Sequence, residues 1–211
     1  MSKPRWRRRK DDRPGEITAA ALAAFAKNGF AATRIEDVAA AAGVSKGTVY
    51  LYFRSKEELF KAVIRENLVP NLAFAERRLE GGEATATELL SEFLRRVAKM
   101  VADTDLGAIP KLLIAEAGSF PDLAEFYARE VASRGVTLIE ALLRRGAAAG
   151  EFREVDARTA TPALMAPILM LSLWKTVMEP HLDWKTGAES FVDSYLDIVL
   201  NGLRAESISE P

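Results

Sequence analysis

Between Thr33 and Lys56 the chain reads TRIEDVAAAAGVSKGTVYLYFRSK, and its residue types suit contact with paired bases rather than covalent chemistry. Two short helices that cross steeply need a small residue where they touch and a glycine where the chain turns. Ala39 and Gly43, four apart, supply both. Val38, Val44 and Val49 fall where apolar contacts would lock the helices together. Ser45 stands where its hydroxyl can cap the second helix, whose N-terminal end enters a major groove in such a motif. With Val44, Val49 and Phe53 inward, the outward residues are Lys46, Gly47, Thr48, Tyr50 and Tyr52. Lys46 can meet a phosphate or a guanine edge, and Thr48 a base edge or a thymine methyl. The hydroxyls of Tyr50 and Tyr52 can reach phosphates, although Tyr50 could instead be partly core. Gly47 lets a backbone approach closely. Lys56 opens the next helix, where its charge and the helix terminus both favour phosphate.

The rest of the chain offers little for catalysis. There is no cysteine, which excludes disulfides and cysteine-based metal or nucleophilic sites. The single histidine, His181, stands beside Pro180 and reads as an exposed loop residue. No glycine-rich phosphate loop, metal-ligand cluster or Ser/His/Asp arrangement stands out, so neither an enzyme nor a cofactor is expected.

Charge divides the chain. Residues 1–56 hold 12 Lys/Arg and 5 Asp/Glu, a balance of +7, and the remainder balances to −8, for a net −1 overall. This asymmetry suggests a polyanion-binding head on an acidic body. Lys3, Arg5, Arg7, Arg8, Arg9, Lys10 and Arg13, interrupted by Trp6, make residues 1–13 a basic arm. Such an arm is either merely solvated or follows a minor groove, and one that is disordered alone can order on DNA. No apolar run approaches the roughly 20 residues that span a bilayer, and the basic start lacks a signal peptide's apolar stretch. A cytosolic protein residing on the nucleoid, with no membrane partner, is the expectation.

The elements that must position these residues read as helix almost throughout. Ala, Leu, Glu, Arg and Lys dominate, and apolar residues recur at three- and four-residue steps. The first helix is expected from Pro14 to Asn28, where Asn28-Gly29 signals a stop. The second spans Arg34 to Ala42, with Thr33 and Glu36 at capping-box spacing. The third follows Ser45. The fourth follows Ser55, with Glu58 repeating that spacing, and is kinked or broken at Pro70. Longer helices are expected over 85–103, 107–117, 121–149, 157–178 and 186–203, the one over 157–178 perturbed by Pro162 and Pro167. The tail after Arg204 reads as disordered.

The stretch from Ile17 to Leu59 resembles the N-terminal domain of TetR (tetracycline-repressor) family regulators. The resemblance rests on the Ala-rich helix ending in Gly29-Phe30, on Ala31-x-Thr33, on AGVSKGTVY at 42–50, and on Tyr52-Phe53-x-Ser-Lys-Glu-Glu-Leu. It implies an all-α, nine-helix fold: a helix-turn-helix domain over 14–56, a ligand-binding and dimerisation domain over 57–204, and a flexible tail over 205–211. It also implies a homodimer on a palindromic duplex, with DNA contacts at Thr33, Ser45, Lys46, Gly47, Thr48, Tyr50, Tyr52 and Lys56. Arg34 and the arm residues Arg7, Arg8 and Arg9 complete the expected DNA face. KLLIAEAGSFPDL from Lys111 and GAAAGEFREVD from Gly146 are similar to a common C-terminal type in the family.

In the body, Phe74, Phe93, Met100, Phe126, Tyr127, Met170 and Trp174 could enclose a cavity for a small hydrophobic effector, or could be plain core. Glu116 either meets a cationic ligand or sits at a surface or interface. Leu164, Ile168, Leu171, Phe191, Tyr195, Ile198 and Val199 are more apolar than a small monomer needs. They are the expected dimer contacts, and the family packs these last helices as an intersubunit four-helix bundle. A ligand-released repressor is the leading reading. An activator, a co-repressor, or a regulator controlled by a protein partner without a ligand remains the alternative.

Overall fold

Helices account for the whole architecture of the computed structural model, which describes residues 5–82, 84–185 and 187–205 and, of these, the side chains of all but 5–11 and 176. Eleven α segments follow in order: α1 (Arg5–Asn28), α2 (Ile35–Ala41), α3 (Lys46–Tyr52), α4 (Lys56–Asn67), α5 (Val69–Glu80), α6 (Ala86–Asp103), α7 (Ala108–Glu116), α8 (Pro121–Tyr127), α9 (Ser133–Ala148), α10 (Ala157–Leu173) and α11 (Ala188–Leu203). Among the described residues there is no strand, only one isolated antiparallel bridge between Phe152 and Arg204. The eleven segments are nine helices, two of them interrupted. Leu68 separates α4 from α5, and a π turn over Ala128–Ala132 joins α8 to α9.

Besides the π turn that divides the helix expected over 121–149, three larger differences separate these elements from the sequence expectation. First, α1 begins at Arg5, so Pro14 lies inside the helix rather than in its first turn. A proline there leaves a single ladder bond unmade, which can bend a helix without ending it. Residues 5–13 of the expected arm are therefore helical in backbone. The side chains of Arg7, Arg8 and Arg9 fall outside the described set, as do Lys3 and the tail beyond Ala205. Second, the break expected at Pro70 falls at Leu68 instead. Pro70 becomes the second residue of α5, where a missing N–H costs nothing. Third, the run over 157–178 leaves α-geometry after Leu173 and finishes as a π turn, Trp174–Met178.

The chain folds into two compact units. The first runs to Pro70 and resumes over Ala108–Glu130; the second comprises Asn71–Gly107 and the residues from Val131 onward. The first unit thus continues well past Lys56, because the reading helices are too short to bury a core alone. Phe25, Phe30 and Phe60 form its centre, with ring centroids 5.3–5.5 Å apart, and Phe120 meets Phe30 edge-on at 4.9 Å. Ile17, Ala21, Val63, Ile64 and Ile109 are completely buried around them.

In the second unit, α6 presents Leu89, Leu90, Phe93, Leu94, Ala98 and Val101 to α9, α10 and α11. A full capping box starts this helix: Thr85 accepts from Glu88 N–H while the Glu88 carboxylate accepts from Thr85 N–H. Packing within the chain also claims four of the residues expected at a dimer interface, three of them in this core. Leu164, Ile168, Leu171 and Tyr195 are buried within the chain, Ile168 completely, and the Tyr195 hydroxyl donates to the Leu164 carbonyl. Their apolar character serves the fold rather than a partner. Phe191 and Val199 are half-buried against the same core, and only Ile198, 72% exposed, points fully outward.

Candidate nucleic-acid interface

The α2–turn–α3 unit is built by local hydrogen bonds that its sequence specifies. Helix α2 ends in a Schellman turn. Gly43 N–H donates to Ala40 O at 3.1 Å and Val44 N–H to Ala39 O at 2.9 Å, with Gly43 at φ +65°. A side chain at Gly43 would strain that left-handed turn. Ser45 then caps α3, its Oγ accepting from Thr48 N–H at 3.1 Å. Ser55 caps α4 in the same way, accepting from Glu58 N–H at 3.2 Å. The second half of the box expected there does not form, because the Glu58 carboxylate pairs with Lys61 at 3.0 Å.

Several outward residues lie where expected. Arg34, Ser45, Lys46, Gly47 and Tyr50 are exposed, and Thr48 and Tyr52 are half-buried. The Thr48 hydroxyl already shares a hydrogen bond with Ser45 Oγ at 2.9 Å. Lys46 Nζ lies 2.6 Å from the Glu36 carboxylate and 5.8 Å from the Tyr50 ring centroid. The hydrogen bond from Lys46 holds the Glu36 carboxyl below its ordinary range and raises the Lys46 ammonium, so the pair stays charged through neutral pH.

Two expected DNA contacts are turned inward. Thr33 is 2% exposed, and its hydroxyl donates to Gly29 O at 2.6 Å and Ala24 O at 3.2 Å. It neither caps α2, whose N-cap is Arg34 with no side-chain cap bond, nor offers a hydroxyl to phosphate. Lys56 is committed still more fully. Its ammonium donates to Phe30 O, Ala31 O and Thr33 O at 2.7, 2.9 and 3.1 Å and lies over the Phe30 ring. All three protons are used, so this lysine staples the α1–α2 loop to α4 instead of meeting a phosphate. Conversely, Leu51 and Arg54, neither of them among the expected contacts, are exposed beside that face, Leu51 to 74%. The signal was available in helical periodicity, since Leu51 follows Gly47 by four.

The expected effector residues do not form one cluster. Glu116, Phe126 and Tyr127 belong to the first unit. There Glu116 accepts from Ala31 N–H at 3.2 Å, and Lys61 and Arg65 lie over the buried Phe126 ring. Burial pushes the Tyr127 phenol upward. In the second unit Phe74 and Phe93 line one crevice with Arg78, Glu92 and Arg96, the Arg96 guanidinium stacking 4.5 Å over Phe74. Met100 sulfur accepts from Asn71. Met170 is 54% exposed, and Trp174 packs against Trp184 with its buried Nε1 lacking a partner among the described residues. Among the described residues no three His, Cys, Asp or Glu side chains come together as a metal site, and no helix is long and apolar enough to cross a membrane.

A capped α3 set on a Schellman turn, with an exposed outer face bordered by Lys46, Thr48 and Tyr50, is a helix-turn-helix head, and such a head defines a DNA-binding regulator. Residues 17–63 match the bacterial regulatory proteins of the tetR family, and residues 85–181 match the tetracyclin repressor-like C-terminal domain. The chain belongs to the TetR family of DNA-binding transcriptional regulators, which are transcription factors and not enzymes. It is 26% identical over 191 residues to the fatty acid metabolism regulator protein of Bacillus subtilis (strain 168), covering 89% of this chain and 94% of that protein. The uncharacterized HTH-type transcriptional regulator YfiR of the same organism is 36% identical over 107 residues, 48% of this chain and 52% of its own length. The chain therefore spans about half of that relative. In fold, the transcriptional regulator FadR from Bacillus subtilis, solved in complex with stearoyl-CoA, superposes with a TM-score of 0.75 at 24% identity over 90% of this chain and 99% of the other.

Proposed function

We propose that the protein is a homodimeric repressor that leaves a palindromic operator when a hydrophobic, fatty-acyl effector binds its second unit. The observation that carries the DNA-binding half is the exposed face of α3, held by Ser45 and the Gly43 turn. The effector half is supported by the likeness, along nearly the whole chain, to a fatty acid metabolism regulator and to a regulator solved with stearoyl-CoA. Within the second unit, the crevice beside Phe74 and Phe93 holds only about 10 Å³ and its Arg78 is paired with Glu92, so an acyl chain would have to part the side chains that close it.

Dimerisation is supported by two stripes left uncovered on the last helices. Pro162, Ala166 and Met170 recur every four residues on α10, and Ser190, Ser194, Ile198 and Gly202 do so on α11, all of them exposed. Ala166, Ser190, Ser194 and Gly202 would let helices approach closely while Met170 and Ile198 supply apolar contact, and a twofold dimer matches a palindrome read in successive major grooves.

The test is a linkage measurement. A duplex selected by the protein from a random pool serves as operator, and stearoyl-CoA is titrated with and without it. Acyl-CoA should weaken operator binding, and the operator should weaken acyl-CoA binding by the same factor. Equal acyl-CoA affinity in both conditions, or no binding at all, would overturn effector control while leaving DNA recognition standing.

A further inference from the structure

Leu51 is an anomaly of the reading helix. A leucine 74% exposed on a seven-residue helix is left out of the buried core of the described residues. Its direction follows from helical geometry. Val49 and Phe53 are the buried residues of this turn, and Leu51 lies two positions from each, hence rotated about 160° from both. It therefore points more squarely away from the core than Tyr50 and Thr48, which lie on either side of it, or than Lys46. Helical side chains lean toward the N-terminus, so Leu51 covers the turn that begins at Gly47, four residues earlier. The bareness of Gly47 is not demanded by the fold either: a Cβ built there meets nothing closer than Ser45 Oγ, at 3.7 Å. The centre of the face is thus an apolar spot, one leucine beside one uncovered backbone turn.

We infer that Leu51, over Gly47, is a specificity-determining residue that packs on the C5-methyl of a thymine in each half-site. This rests on the DNA-binding reading above. In the major groove the thymine methyl is the one apolar feature on a base edge, and it distinguishes T·A from the other pairs. The surroundings of Leu51 favour this occupant over a protein surface. The apolar spot is a single side chain rather than a broad patch. It is bordered by Thr48 and Tyr50, with Lys46, paired to Glu36, on the Tyr50 side and Arg54 exposed just beyond, in a head (residues 1–56) whose net charge of +7 is carried mostly by residues 1–13. A polyanion complements that border, whereas an apolar protein partner would have to desolvate it.

The experiment uses the full-length protein and the duplex it selects from a random pool. Each thymine of the selected half-sites is replaced in turn by deoxyuridine, which removes only the methyl, and binding is measured for wild type and Leu51→Ala. At one thymine per half-site the uridine duplex should bind wild type about fourfold more weakly, the worth of one buried methyl. Leu51→Ala should bind thymine and uridine duplexes equally at that position, with its helical content unchanged. The inference is overturned if no thymine in the selected site shows a methyl effect. It is also overturned if Leu51→Ala keeps the wild-type thymine-to-uridine ratio, or if the substitution changes only self-association in sedimentation. Failure to enrich any duplex would instead defeat the DNA-binding reading itself.

Discussion

At the scale of single residues, the charged groups of the head divide into those that hold the fold and those free to meet DNA. Lys56 holds the fold. Replacing it with methionine removes three charge-assisted hydrogen bonds to backbone carbonyls and should cost about 2–4 kcal/mol of stability. The salt dependence of DNA binding by the folded fraction should not change, and a slope flatter by about 0.9 would reveal a phosphate contact instead. Lys46 is exposed but paired, since Glu36 competes with phosphate for its ammonium. Glu36→Gln should therefore tighten binding to duplexes of any sequence at low salt, an effect visible by fluorescence anisotropy against random DNA. Gly47→Ala has room within the fold and should gain up to about 1 kcal/mol in helix stability. Its affinity for the selected duplex should nevertheless fall, because the added methyl occupies the uncovered turn beneath Leu51.

At the scale of elements, the decisive contacts lie at helix ends. Glu151, at the foot of α9, caps a helix far from it in sequence. Its carboxylate accepts from Ala86 N–H at 3.1 Å, and from Thr87 N–H and Thr87 Oγ1 at 2.8 and 2.7 Å, at the start of α6. Desolvation alone would raise its pKa, but the Thr87 and Ala86 hydrogen bonds and nearby Arg145 together outweigh it, and the net shift is downward from 4.5. A carboxyl whose pKa is lowered by folding contributes stability above its unfolded pKa and loses it as pH falls through the folded one. Glu151→Gln should thus lower stability by about 1 kcal/mol at pH 7, and the gap from wild type should close below pH 4 in chemical denaturation curves. Persistence of the full gap at pH 3 would assign the loss to shape rather than charge. Capping-box spacing predicted the wrong start for α2 because a Thr-x-x-Glu pattern does not say where the hydroxyl turns. Thr33 sits one residue before the N-cap, close enough to the carbonyls of Gly29 and Ala24 to bond them instead.

At the scale of the whole molecule, the unsettled surface is the pair of exposed stripes on α10 and α11. Ile198 is the one expected dimer residue that the chain's own core leaves fully uncovered. Ile198→Glu should fold with wild-type helical content, sediment as a monomer, and lose at least tenfold in operator affinity, because one head engages only one half-site. A dimeric Ile198→Glu would move the twofold contact away from α11.

What the sequence determined by itself is what neighbouring residues decide together. Apolar periodicity, the Gly43 turn, the Ser45 and Ser55 caps and the division of charge all act within about one helical turn or by composition alone. They made the all-α order and the reading head legible before any coordinates. Tertiary structure decided which side chains the core would claim. Thr33 and Lys56 read as DNA contacts until residues up to 26 positions away offered them carbonyls. Leu164, Ile168, Leu171 and Tyr195 read as an interface until packing within the chain buried them. Burial is settled by packing between segments distant along the chain, and a local pattern records that a residue is apolar or polar without recording what will cover it.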